Sequence, residues 1–238
     1  VIVRDRVYVG AAGDISGEEL ATVLDDLLGD LPTGGAPMPA EADVSLAGGV
    51  TVEFLDVPQS VALFGHTGID RDDPDFFPAF VANEVFGGGG LTSRLSLEVR
   101  EERGLTYSIG SYLVNWDLSD MVLGQFATAN QNVAEAIDVV LDEWSKVAAE
   151  GVTQEELDAA KTYLTGAYPL RFDSNASIAK ILVGMQMDDL PIDYVETRNG
   201  KVEAVTLEDV RRVAKRIYRP EDLHFVIVGK PDGLEGVN

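Results

Sequence analysis

The sequence predicts an α+β fold, a two-layer sandwich with a largely antiparallel sheet and helices on one face. Three observations predict it. Strand-like runs come in neighbouring pairs, 50–57 with 60–66 and 105–116 with 121–129. Helical periods lie between the pairs and after them. The chain has 238 residues, 45% of them hydrophobic, which is globular composition with ample side chains for a core.

Residues 7–12 (VYVGAA) form a short apolar run that reads as a strand. Ser16-Gly17-Glu18-Glu19 is a capping box, and Leu20, Val23, Leu24, Leu27 and Leu28 follow at helical spacing up to Gly29. The Val-x-Val-Gly of this opening returns near the other end, in FVIVGKPD. The echo suggests that residues 1–30, a strand and a helix, are the tail of a preceding domain of the same kind, and that the chain is a piece of something longer. Residues 31–43 hold Pro32, Pro37 and Pro39 with no hydrophobic period and read as a linker. Residues 44–238 then form the main domain.

Within it, the first strand pair is broken at Pro58. Asp73-Pro74 opens a helix with proline at its first position, and Phe77, Phe80, Val81 and Val85 form the expected buried stripe. Gly87 to Gly90 terminate it. A second helix carries Leu91, Leu95 and Val99 on one side and ends near Arg103-Gly104. The second strand pair turns at DLSD. The longest helix covers 131–150, where Val133, Ala136, Ile137, Val140, Leu141, Trp144, Val147 and Ala148 trace one apolar face before Gly151. Thr153-Gln154-Glu155-Glu156 is a second capping box. Helical segments around 174–187 and 192–199 follow, and Thr206-Leu207-Glu208-Asp209 opens another that runs to Tyr218. Pro220 ends it, and 223–228 make the last strand.

Acidic residues outnumber basic ones 41 to 18, a formal net charge of −23. A field of that sign excludes binding nucleic acid or an anionic membrane through overall charge. The densest basic group, Arg211, Arg212, Lys215, Arg216 and Arg219, reads as a solvated helix face. The absence of cysteine removes disulfides, thiolate ligands and cysteine nucleophiles, and suits the periplasm and the cytosol equally. A self-contained zinc site needs two or three converging histidines, and this chain has only His66 and His224, each read as an ordinary half-buried residue. No apolar run approaches the roughly 18 residues of a membrane span.

The glycines at 87–90 invite a phosphate-loop reading, but no Lys-Ser/Thr closes such a loop and they follow a helix where the motif needs a strand. They read as a tight turn between helices. No Gly-x-Ser-x-Gly marks a serine nucleophile. DRDDPD at 70–75 lacks the spacing of a calcium loop and reads as a solvated helix start.

One stretch differs in kind: NEVFGGGGLTSRLSLEVREERGLTYSIGSYL, from Asn83 to Leu113. Its Asn-x-x-Phe-Gly-Gly-Gly-Gly, Ser-Arg-Leu and Glu-Val-Arg-Glu-x-Arg-Gly-Leu-x-Tyr-Ser resemble the pitrilysin-type zinc peptidases, the family of insulin-degrading enzyme, mitochondrial processing peptidase and bacterial paired-subunit zinc proteases. Gln59 with its strand, the Gly-Val-Thr-x-x-Glu-Leu helix start at 151–157 and the GDISGEEL opening share the resemblance. The match is to the C-terminal half of a peptidase unit.

The resemblance implies the processing-peptidase-like metallohydrolase fold, occurring in tandem pairs that close around a peptide. Family enzymes carry His-x-x-Glu-His in the N-terminal half, where two histidines bind zinc and the glutamate activates water. This chain lacks that motif, so it is expected to bind no metal and to be inactive alone. Zinc and the catalytic motif are expected in a partner half or subunit, the complete enzyme being a dimer acting on peptides. By resemblance, Arg100 and Tyr107 are the substrate-side pair, facing the partner's zinc site. The competing reading is a scaffold of the same fold that supports a processing partner or a larger complex without touching peptide.

Overall fold

The computed structural model describes residues 2–42, 44 and 46–234. The chain divides into two compact units, one of residues 2–40 and 163–200, the other of residues 41–162 and 201–234.

The larger unit is built on a mixed five-stranded sheet. Its strands are β1 (Gly49–Phe54), β2 (Gln59–Thr67), β3 (Ile109–Trp116), β4 (Ser119–Ala129) and β5 (His224–Gly229), in the order β1-β5-β2-β4-β3. The pair β1 with β5 is parallel, and β2–β5, β2–β4 and β3–β4 are antiparallel. The alternation of strand side chains sorts the two faces. Ala62, Phe64 and His66 of β2, Val122 and Phe126 of β4, and Phe225 and Ile227 of β5 are buried. Between them, Val61 and Leu63 remain about half exposed, as do Val226 and Val228, and Val61 lies opposite Val228 and Leu63 opposite Val226.

Three helices of this unit are α2 (Phe76–Asn83), α3 (Val133–Glu150) and α7 (Leu207–Ile217). Trp144 of α3 is the hub of the core beneath them. Its ring meets Phe64 edge-on at 5.7 Å, Phe86 at 4.8 Å and Tyr218 at 5.3 Å. Such T-shaped pairs add about 0.5–1.5 kcal/mol each beyond area burial. The expected face of α3 is buried except for Leu141 and Ala148, which are intermediate. The buried surface of α2 is wider than the expected stripe. Phe76, Ala79 and Ala82 are buried with Val81 and Val85, while Phe77 and Phe80 are only half-buried. Six of the eight residues of α2 are buried, so no single stripe counted at helical spacing marks its packed face.

Gly87 to Gly90 do not simply end this helix. Chain helicity continues as a wide turn, Glu84–Gly88, closed by Gly89 N–H donating to the Glu84 carbonyl at 2.8 Å. A 3-10 turn, Gly90–Thr92, follows, with φ of 60° at Gly90. Leu91 sits in that turn and is exposed, whereas Leu95, just before the next wide helix Ser96–Glu102, and Val99, on it, are fully buried.

The smaller unit holds α1 (Gly17–Leu28), the C-terminal end of α4 (Gln154–Ala167), α5 (Asn175–Met187) and most of α6 (Tyr194–Ala204). The Ser16–Glu19 capping box is formed, yet α1 buries none of its residues. The run 7–12 joins no strand among the described residues, contrary to the expectation of a strand. It lies extended along α5 instead, where the Gln186 side chain donates to the Val9 carbonyl at 2.9 Å. Helix side chains give its backbone no ladder to pair with. Residues 31–40 are irregular and tied back by Arg4 N–H to the Pro32 carbonyl and Gly34 N–H to the Asp5 carboxylate.

Candidate functional site

Arg100 lies in the last turn of the wide helix Ser96–Glu102. Gly104 N–H donates to the Arg100 carbonyl at 3.0 Å, and Leu105 N–H to the Val99 carbonyl at 2.9 Å. Gly104 takes φ of 63°, a conformation costly for any residue with a Cβ, and this reverses the chain. Leu105 and Thr106 are buried behind it, with the Thr128 hydroxyl bonded to the Leu105 carbonyl. Tyr107 then emerges two residues before β3 and is 87% exposed. The Arg100 guanidinium stands 5.8 Å from the centroid of the Tyr107 ring, and Arg100 also pairs with Glu101.

Two side chains seven residues apart therefore share one exposed spot. Both present donors, a fixed cationic fork and a phenolic hydroxyl. A carbonyl oxygen, or an oxygen gaining negative charge, is the group such a pair can hold.

The rest of the Asn83–Leu113 motif holds this corner in shape. Asn83 is buried and bridges to β3, its amide donating to the Ser111 carbonyl at 3.0 Å and accepting from the Ser111 hydroxyl at 2.8 Å. A Cβ on Gly87 would collide with the Ser111 hydroxyl and lie 2.7 Å from its backbone nitrogen, so only glycine lets the turn approach. Phe86 fills the core beside Trp144. Arg94 of Ser-Arg-Leu reaches the second capping box, giving Glu156 two bonds of 2.6 Å. The same carboxylate accepts from Thr153 N–H at 2.7 Å. Burial alone would raise the Glu156 carboxyl, but these donors outweigh it and hold the group down at about 2. The capping-box spacing marked Glu156, but composition and spacing singled out none of Asn83, Arg94 or Ser111. The signal for those three was the motif itself, in which Asn83 and Ser111 are buried while Tyr107 faces out.

The histidines are committed elsewhere. His66 is fully buried rather than half-buried. Its Nδ1 is 2.8 Å from the Thr67 carbonyl and its Nε2 accepts from Trp144 Nε1–H at 2.9 Å, so the Nδ1–H tautomer fits. His224 Nε2 lies 2.9 Å from the Thr51 hydroxyl. No three His, Cys, Asp or Glu side chains converge as a metal site among the described residues. Among the described residues, no donor set fits a zinc ion.

The acidic turn and the basic helix answer one another. Asp73 and Asp75 take the guanidinium groups of Arg212 and Arg216, and Arg219 pairs with Asp222. The Asp73 carboxyl is held below its usual range, first by the Arg216 bond. No helix of the described residues is long and apolar enough to cross a membrane.

Comparison with known proteins places this geometry in context. The family model described as the peptidase M16 inactive domain matches residues 2–164. A Helicobacter pylori protein named as a non-peptidase homologue is 25% identical over 225 residues, covering 94% of this chain and 52% of its own length. An uncharacterized zinc protease of Streptomyces coelicolor is 30% identical over 190 residues, covering 76% of this chain and 39% of its own length. The crystal structure of a peptidase M16 inactive domain from Pseudomonas fluorescens superposes with a TM-score of 0.82 at 27% identity, covering 95% of this chain and 54% of that one. The chain thus spans about half the length of the curated relatives it matches. With the sheet, the Asn83–Leu113 corner and the family match in agreement, the chain belongs to the peptidase M16 family, in the portion described as its inactive domain.

Proposed function

We propose that this chain is the non-catalytic, substrate-enclosing half or subunit of a pitrilysin-type zinc metallopeptidase. In this reading Arg100 and Tyr107 reach a peptide held at a zinc site on a partner half that carries His-x-x-Glu-His, in a dimeric complete enzyme. The observation that carries it is the pairing of an 87% exposed tyrosine with the Arg100 guanidinium over its ring. Exposure of one aromatic is ordinary by itself, but here the exposed phenol and the guanidinium beside it present two donors to the same side of the motif. The pair would bind the substrate carbonyl and stabilise the oxyanion formed when zinc-activated water attacks it.

The test is kinetic, on this chain reconstituted with its catalytic half. Tyr107→Phe removes one donor and almost no volume. It should lower kcat by about 10²–10³ if the hydroxyl acts on the oxyanion, and mainly raise KM if it only positions substrate. Arg100→Lys should also lower kcat/KM, because a point charge cannot reproduce the fork. Wild-type rates in both variants would overturn the reading.

A second reading, a scaffold subunit without peptide contact, is favoured by the name of the Helicobacter pylori relative. It requires that the reconstituted complex keep full activity when both side chains are removed.

A further inference from the structure

The larger unit contains a cavity of about 500 Å³ that the Arg100–Tyr107 corner does not use. It lies between the Asp70–Asp75 turn with the start of α2, the end of α6 and the start of α7. Its size suits a small organic ligand. Pro74, Phe77 and Val205 supply apolar wall.

Two cations stand on aromatic rings around it. The Arg71 guanidinium is 4.5 Å from the centroid of Phe76, and the Lys201 ammonium is 5.5 Å from that of Phe77. Both line the cavity. The acids there are mostly engaged. Asp73 is bonded to Arg216, and the Asp209 carboxylate accepts from the Thr206 hydroxyl and from Arg212. Asp72, exposed on the rim, is the remaining one. The Asp209 carboxyl is held below its ordinary range, first by the Thr206 hydroxyl. An arginine has five donors and can serve more than one partner, so Arg71 can bind a further anion whatever else it touches.

We propose that this cavity binds an aromatic carboxylate, either a free acid or the C-terminal residue of a peptide. The ring lies against Phe77 and Pro74, and the carboxylate takes charge-assisted bonds from Lys201 and Arg71. The aromatic faces hold both cations close to the apolar wall, where neither a neutral aromatic nor a small hydrophilic anion gains both kinds of contact. In a chain of net charge −23, which repels anions at long range, a local pair of cations beside a ring-sized apolar wall selects short-range recognition.

The experiment is a titration of the full ¹⁵N-labelled chain followed by amide chemical shifts. The probes are N-acetyl-phenylalanine, its carboxamide, N-acetylglycine, and the acetylated tripeptide Ala-Ala-Phe with a free carboxylate. N-acetyl-phenylalanine should give saturable shifts confined to residues 71–78 and 201–212, with a Kd on the order of 1 mM for so small a ligand. The carboxamide and N-acetylglycine should bind at least tenfold more weakly. Tighter binding of the tripeptide assigns the site to peptide C-termini, and equal binding assigns it to free acids. Lys201→Gln, at an exposed position, should weaken binding about tenfold with the melting temperature unchanged. Equal affinity for acid and amide, shifts that do not saturate, or shifts outside these segments would overturn the proposal, even if no variant were made.

Discussion

His66 has both ring nitrogens in use and no access to water, so a second proton has nowhere to go without breaking the Trp144 bond. Burial is the main cause that pushes its pKa below the ordinary 6.5, and Arg219 nearby adds to it. The unfolded chain then binds the proton more readily than the folded one. Stability is therefore full above about 6.5 and falls as the pH drops below that toward the depressed folded value. Denaturant midpoints measured from pH 8 to 5 should decline, and His66→Gln should flatten that decline while costing about 1–3 kcal/mol at pH 8. Glu156 has a separate window. Its folded value near 2, against 4.5 unperturbed, gives stability present above about 4.5 and lost as the pH falls toward 2. Glu156→Gln should remove that lower limb, read by the same melts. Sequence placed Trp144 on a buried helix face and His66 at a strand end, but nothing local says that residues 78 positions apart will meet. That contact exists only once β2 has paired and α3 has crossed it.

At the level of elements, the strands and long helices were legible because each carries its own period or cap. All five strands of the sheet fall within the runs of alternating or apolar residues, to within a few positions. The glycine segment was legible only as an interruption. A wide turn keeps helical hydrogen bonding while changing phase, so the apolar spacing that marks a helix fails across it. The four glycines should respond unequally to alanine. Gly87→Ala should cost the most, at least about 2 kcal/mol, because Ser111 and its strand must move. Gly90→Ala should cost about 1 kcal/mol from φ alone, since open space surrounds it. Equal, near-zero losses in urea melts would contradict this. The Arg100–Tyr107 corner was legible from the family motif and not from spacing. Its geometry depends on Gly104 turning the chain and on Leu105 and Thr106 being buried behind the turn.

For the whole molecule, we propose that residues 1–30 are the tail of a preceding domain and 31–43 a linker to 44–238. The bare face of α1, with Leu27 70% exposed, supports that reading. Deleting residues 1–30 should leave a cooperative melt in the remainder, and complete loss of cooperativity would assign the segment to the core instead. The exposed sheet face has a further practical consequence. Val61, Leu63, Val226, Val228 and Tyr112 stay partly open to water in the fully packed state. An environment-sensitive dye such as anilinonaphthalene sulfonate binds apolar surface of this kind, whether or not a core has loosened. Its fluorescence should therefore rise with the native chain and change little through a mild acid titration. Near-ultraviolet dichroism from Trp144, locked between Phe64, Phe86 and Tyr218, should be the signal that follows the loss of packing. A screen that scored folding by dye brightness would rank this protein as half-melted while its interior was intact.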